Sequence, residues 1–303
     1  MTQSAFVLST TRKYVTVQVG DQAPLIVTKN RTCPDLCPGD EVLISGATPD
    51  ISVEHLCPRR TIFQRALGPR EKLLAANLAH IYLITAPAPL FNPQALDRVI
   101  TAAAAAGIPC SLVLNKTDLP GTDETLKLIN SSYLSVASSI VCVSATTEEG
   151  LKPLKTAVQT MNGSTPTFIA FTGLSGVGKS TIIGALSGSE LARQGELSER
   201  SGMGRQTTSQ AYAYHISHTN LFLVDLPGIQ NFGLTHLGIE QITAGFPEIA
   251  QAIAQCRFSD CKHDSEEYCG VRDALSAGKI TNQRYQSYQA IIGEITIFSN
   301  RDH

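Results

Sequence analysis

The 303-residue sequence predicts a multidomain α/β fold: a small N-terminal β-barrel, a central doubly wound parallel sheet and a C-terminal helical module built around a metal site. Three observations predict it. Short alternating segments separated by turn residues fill positions 1–65. Apolar runs of strand length then alternate with helical patterns over 66–235, and in the remainder, 236–303, three cysteines and a histidine crowd into 14 residues.

In the first unit, Tyr14-Val15-Thr16-Val17-Gln18-Val19 alternates with the period of a half-buried strand, and Gly20-Asp21 makes a turn. Leu25-Ile26-Val27, Glu41-Val42-Leu43-Ile44 and Ile51-Ser52-Val53 supply further short strands, with Pro38-Gly39-Asp40 between them. A barrel of OB type is the economical reading.

The chemistry begins in the second unit. Thr167-Phe168-Ile169-Ala170-Phe171-Thr172 reads as a buried strand, and Lys179 to Leu186 opens an amphipathic helix. Between them lies Gly173-Leu174-Ser175-Gly176-Val177-Gly178-Lys179-Ser180, followed by Thr181, which has the spacing of a phosphate loop. Its glycines let backbone N–H groups converge on phosphate oxygens, and the helix N-terminus adds partial positive charge. Lys179 should reach the β- and γ-phosphates, and the Ser180 hydroxyl should ligate Mg²⁺.

The base is read elsewhere. Pro109 to Leu114 is an apolar run ending in Asn115-Lys116-Thr117-Asp118, at the strand end where open α/β sheets bind ligands. The Asp118 carboxylate can accept the two N–H donors on the Watson–Crick edge of guanine, a pair adenine lacks. Lys116 can cover the purine ring, Asn115 can tie this loop to the phosphate loop, and the turn at Ser144-Ala145 can offer a backbone N–H to guanine O6.

Asp225-Leu226-Pro227-Gly228 ends another strand, where Asp225 would hold a Mg²⁺-bound water and the Gly228 N–H would sense the γ-phosphate. The polar stretch 189–209 closes on Gly204-Arg205-Gln206-Thr207-Thr208-Ser209, and Thr207 or Thr208 should ligate Mg²⁺. After Gly228, where small GTPases carry a glutamine, stands Ile229, which cannot orient water, so slow intrinsic turnover is expected.

In chain order the base tetrad precedes the phosphate loop, the reverse of ordinary small GTPases, so the domain is a circularly permuted P-loop GTPase with a doubly wound sheet. Strands are expected near 80–86, 109–114, 139–143, 167–172, 211–217 and 220–225, with helices near 94–106, 123–134, 150–161 and 179–187.

In the third unit, Cys256, Cys261, His263 and Cys269 fit a closed Cys₃His site of structural zinc, with a disulfide or separate buried thiols as alternatives. Helical spacing from Ile239 to Ala254 and from Asp273 to Ile295 flanks it. Its core should be small, leaving the metal to supply folding free energy. Cys33, Cys37, Cys57, Cys110 and Cys142 read as reduced thiols.

With 43% hydrophobic residues, no secretory signal and no run of membrane-spanning length, a cytoplasmic, monomeric protein with no membrane partner is expected. Eight cysteines without an extracellular cue suit a reducing compartment. A net charge of −2 argues against nucleic acid, but two basic clusters soften that: Arg59, Arg60, Arg65, Arg70 and Lys72, then Lys262, Arg272, Lys279 and Arg284.

Leu114 to Leu119, Gly173 to Thr181, Asp225 to Gly228 and the stretch from Cys256 through Cys269 to Arg284-Tyr285 closely resemble the ribosome small-subunit-dependent GTPase A family. The resemblance covers nearly the whole chain and implies GTP hydrolysis stimulated by the small ribosomal subunit, late in its maturation, with the barrel and zinc domains gripping rRNA. Two departures stand out. The family's Gly-Arg-His-Thr-Thr has Gln206 in place of its histidine, and its basic N-terminal extension has no counterpart in Met1-Thr2-Gln3-Ser4. Gln206 itself could orient water. The alternative is a nucleotide-gated RNA-binding protein with negligible hydrolysis.

Overall fold

In the computed structural model, residues 2–29, 33–46, 51–68, 70–188, 210–230 and 232–299 are described. The N-terminal strands are β1 (Gln3–Thr10), β2 (Tyr14–Gln18), β3 (Leu25–Thr28), β4 (Glu41–Ser45) and β5 (Ser52–Leu56), an antiparallel sheet in the order β3-β2-β1-β4-β5. Edge strands β3 and β5 approach each other, so the sheet curls towards closure around Val7, Val15, Val17, Val27, Val42 and Ile44. That is the OB-type arrangement expected from the alternation.

A two-stranded hairpin follows, β6 (Ile62–Leu67) and β7 (Arg70–Ala76), which the sequence reading does not contain. The register slips between Phe63 and Gln64, and that slip hides the period-two pattern.

The central sheet has β8 (Leu78–Thr85), β9 (Cys110–Leu114), β10 (Ile140–Cys142), β11 (Thr167–Gly173), β12 (Tyr212–His215) and β13 (Leu221–Asp225), in the order β10-β9-β8-β11-β13-β12. All six expected strands form. Every neighbouring pair is parallel except β12 with β13, an antiparallel edge. Helices α1 (Pro93–Ala105), α2 (Thr122–Tyr133), α3 (Glu148–Gln159) and α4 (Lys179–Ser187) connect the strands. The chain runs outward from β8 to β10 and returns through α3 to β11 on the other side of β8. The strand order therefore reverses between β8 and β11, and a crevice opens there at the carboxyl ends.

The C-terminal helices are α5 (Ile239–Ala244), α6 (Pro247–Ile253), α7 (Gly270–Ser276) and α8 (Asn282–Ser299), of which α5 and α8 pack on α1. Ile242, Phe246, Ile249, Val271, Tyr288 and Ile291 belong to the same buried cluster as Val99 and Ile100 of α1. The expectation of a small separate core is therefore corrected: these helices complete the core of the central domain. Gly245 allows the close approach, since a Cβ there would lie 2.6 Å from Thr101 Cα.

Arg284 is 1% exposed and anchors this junction. Its guanidinium donates to Asp97 Oδ1 at 2.7 Å, Glu248 Oε1 at 2.7 Å and the Gly245 carbonyl at 2.8 Å, and lies 4.1 Å from the Phe246 ring centroid. Its place in a surface basic cluster is thereby withdrawn. Arg284→Ala should strand two carboxylates in or near the core and lower the unfolding free energy by about 3–5 kcal/mol. A urea midpoint matching the parent's would contradict this.

Candidate nucleotide and metal sites

Parallel registers bring the ends of β8, β9, β11 and β13 to one level: Thr85 pairs with Leu114, Gly173 with Ile84, and Asp225 with Phe171. The loops leaving these strands carry the expected residues. Asn115, 1% exposed, lies at their centre. Its Nδ2 donates to the Val177 carbonyl at 2.8 Å, and its Oδ1 accepts from the Ala145 N–H at 3.1 Å. One amide thus joins the tetrad, the phosphate loop and the Ser144-Ala145 turn. Two glycines make room: a Cβ on Gly178 would sit 2.3 Å from Asn115 Nδ2, and one on Gly173 2.5 Å from the Ile84 carbonyl oxygen. Gly178 also has φ of 94°, open to glycine at little cost.

Lys116 has φ of 62°, a left-handed conformation that turns the tetrad sharply off its strand. Thr117 Oγ1 donates to the Val143 carbonyl at 3.0 Å, fixing this turn to the next strand's end. Asp118 is exposed, and Ser144 Oγ donates to its Oδ1 at 2.6 Å. That hydroxyl holds the Asp118 carboxyl below its ordinary range, so the group is an ionised acceptor.

A cavity of about 760 Å³ is lined by Lys116, Gly173, Leu174, Ser175, Gly176, Gly178, Lys179, Ser180, Thr181, Pro227 and Gly228. Lys179 Nζ bonds Asp225 Oδ1 at its floor. Burial pushes the Asp225 carboxyl up, and the Lys179 charge opposes that. Gln206, Thr207 and Thr208 lie outside the described residues.

Three further residues line the cavity without having been assigned to it: Arg65, Lys72 and Gln230. Ile229 is 1% exposed and belongs to the core, so the residue after Gly228 points inward while Gln230 reaches the cavity. A glutamine one place beyond the usual position was the available signal. Arg65 and Lys72 stood in a cluster assigned to RNA, and Arg59 of that cluster is paired with buried Asp40 at 2.7 Å.

In the C-terminal unit, the ligand atoms of Cys256, Cys261, His263 and Cys269 lie within 4.8 Å of one another, and this cluster could hold a metal ion. His263 Nδ1 stands 3.5 Å from Cys256 Sγ and 3.6 Å from Cys269 Sγ. Metal–sulfur and metal–nitrogen bonds of tetrahedral zinc imply S···N edges of about 3.6 Å, so the donor set fits. The surrounding loop is braced by Tyr285 OH donating to the His263 carbonyl at 2.6 Å. Glu266 accepts from the Lys262, Asp264 and Ser265 N–H groups, and these donors pull its carboxyl down to about 2.

A glycine-rich loop of phosphate-loop spacing at the switch point of a mostly parallel sheet, with the Asn115–Asp118 tetrad arriving earlier in the chain, defines a circularly permuted P-loop domain. The family model described as RsgA GTPase matches residues 56–235, and the chain belongs to that family. It is 37% identical over 226 residues to the small ribosomal subunit biogenesis GTPase RsgA of Klebsiella pneumoniae, a match covering 73% of this chain and 62% of that protein. The protein of the same name from Chromohalobacter salexigens is 38% identical over 242 residues, covering 79% of this chain and 69% of that one. The match therefore spans less than two thirds of the Klebsiella relative's length. Among crystal structures, YjeQ from Thermotoga maritima superposes with a TM-score of 0.72 at 24% identity, covering 98% of this chain and 99% of that one. YloQ, a circularly permuted GTPase, superposes with a TM-score of 0.68 at 17% identity, covering 98% and 96%. These two likenesses show the fold.

Two outcomes are expected. Asn115→Ala leaves a buried carbonyl and a backbone N–H without their partner and should cost about 1–3 kcal/mol, measured by thermal unfolding. Cys261→Ser should cut the metal content of the purified protein, read by elemental analysis, and a metal-to-protein ratio equal to the parent's would remove Cys261 from the ligand set.

Proposed function

We propose that the chain hydrolyses GTP to GDP and phosphate in late maturation of the small ribosomal subunit, binding the subunit and its rRNA. The observation that carries the nucleotide half is the pair of hydrogen bonds of Asn115, donated to the Val177 carbonyl and accepted from the Ala145 N–H, which braces the proposed base-reading and phosphate-binding segments together. The ribosomal half is supported by the names of the relatives, both small ribosomal subunit biogenesis GTPases.

In this reading Asp118 accepts the guanine N–H donors, the Lys116 stem covers the ring, and the Ser144-Ala145 turn meets O6. Backbone N–H groups from Gly173 to Thr181 surround the phosphates, and Lys179 moves from Asp225 to the β- and γ-oxygens as nucleotide enters. Ser180 and Thr207 or Thr208, with Asp225 through water, would hold Mg²⁺, which would supply charge neutralisation at the phosphates. Water oxygen bonds to the γ-phosphorus as the bond to the bridging oxygen breaks. The electron pair stays on GDP, and the water proton ends on phosphate. Gln206 or Gln230 orients the water, and the Gly228 N–H reports the γ-phosphate.

Cys256, Cys261, His263 and Cys269 would hold zinc, which would brace the C-terminal loop. In this reading the protein works in the cytoplasm as a monomer divided at 1–65, 66–235 and 236–303, and the biogenesis role in the relatives' names supports the compartment. Among the described residues no helix is long and apolar enough to cross a membrane.

The inward-facing Ile229 favours a second reading, a nucleotide-gated RNA-binding protein with negligible hydrolysis. Phosphate release from saturating GTP, with and without purified small ribosomal subunits, separates the two. Stimulation of about tenfold or more is expected, given how far partner-completed sites accelerate this reaction. An unchanged rate would favour the binding module.

A further inference from the structure

We propose that Arg65, carried on the β6–β7 hairpin, is a catalytic arginine that offsets the negative charge gathering on phosphate oxygens in the transition state of GTP hydrolysis. This rests on the hydrolysis reading above. Ile229 is 1% exposed and belongs to the core, so the position after Gly228 brings nothing polar to the phosphates. Gln206 or Gln230 can orient water, but a neutral amide cannot offset charge. A guanidinium can.

The other sheltered arginines among the described residues each have a carboxylate: Arg59 has Asp40, Arg98 has Glu294, and Arg284 has Asp97 and Glu248. Arg65 is half-buried, yet among the described residues its Nε is buried with no hydrogen-bond partner. Burial pushes its pKa down, whereas the bond to Asp40 pushes Arg59 up. An arginine stays charged at neutral pH all the same, so this one holds a partly desolvated charge and an idle donor. Native proteins seldom keep a buried donor in that condition without a ligand or water to meet it.

Arg65 lines the cavity that also holds Gly173, Gly176, Lys179 and Gly228. Its hairpin is fastened to the segment after Gly228: the Ala66 N–H donates to the Gly233 carbonyl at 2.9 Å, and the Phe63 and Phe232 rings lie 5.6 Å apart. A donor fixed in advance costs little reorganisation when charge develops beside it. In the ground state the loop N–H groups and Lys179 already meet the phosphates. As water oxygen bonds to the γ-phosphorus and the bond to the bridging oxygen breaks, the electron pair passes to the β-phosphate of GDP. Arg65 donates hydrogen bonds to the oxygens gaining that charge, and no proton leaves the guanidinium. Its contribution therefore falls in the transition state.

The test compares the full chain with R65A and R65K, after thermal unfolding has established that each is folded. GTP hydrolysis is followed with purified small ribosomal subunits. Calorimetry gives the affinities for GDP, for guanylyl imidodiphosphate, and for GDP with aluminium fluoride, which mimics the transferring phosphoryl group. R65A should lower kcat by about a hundredfold or more, since arginines that serve this reaction supply still larger factors. KM and the affinities for GDP and the imido analogue should stay within about threefold, while aluminium fluoride no longer tightens GDP. Added guanidinium ion should return part of the R65A rate, a recovery that a merely structural role does not show. R65K keeps the charge without the fork and should lose about tenfold in kcat. A parent-like kcat in folded R65A, or a rate loss matched by an equal loss of imido-analogue affinity, would overturn the assignment. Where R65A does not fold, R65K decides, and a parent-like kcat there overturns it. A parent chain that binds no GTP, or binds it without hydrolysis, would remove the hydrolysis reading itself, and the assignment with it.

Discussion

Asn115 satisfies two backbone groups that belong to different loops, the carbonyl of Val177 and the N–H of Ala145, and does so from a position closed to water. A side-chain amide donates from its nitrogen and accepts at its oxygen, so one residue can meet a carbonyl and an N–H on opposite sides. The bond to the Val177 carbonyl is buried, so losing it costs the full desolvation of an orphaned group, and the half-buried Ala145 N–H costs less. The glycine at 178 exists within this geometry, since any larger residue would meet the amide nitrogen. Changing the order of segments along the chain leaves this junction untouched, because it depends on the parallel registers of β8, β9, β10 and β11.

Permutation does alter what the pocket is attached to. Asp225 and Gly228 are followed within a few residues by Gly233, which pairs with the hairpin, and then by helices that share the core of α1. Arg284 secures that second attachment by joining Asp97 of α1 to Glu248 of α6. The carboxyl end of β13 is therefore joined by short connections to β6–β7 and to the helices that carry the Cys/His cluster. Neither connection needs a flexible linker, since both run through packed side chains and backbone bonds.

Much of this was legible in the residues. All six strands of the central sheet were located, most plainly β9, β11 and β13, because buried parallel strands have no polar face to blur them. The Asn115 brace and the Cys/His cluster follow from residue type and spacing alone. The hairpin escaped, since its register slip breaks alternation and its charges resemble an ordinary surface. The shared core escaped because an amphipathic stripe, such as that from Ile239 to Ala254, says that a face is covered but not by what. Gln230 escaped through a shift of one position, and only the inward turn of Ile229 reveals which of the two side chains reaches the cavity. Arg284 looked like surface charge because a sequence does not display its two carboxylate partners, which are 187 and 36 residues away.

The central claim is that segments remote in the chain share one purine triphosphate. A crystal structure with a bound non-hydrolysable GTP analogue tests it most directly. The base should lie against Asp118 and Lys116, with the phosphates wrapped by residues 173–181. A base lodged away from residues 115–118, or phosphates outside that loop, would contradict it.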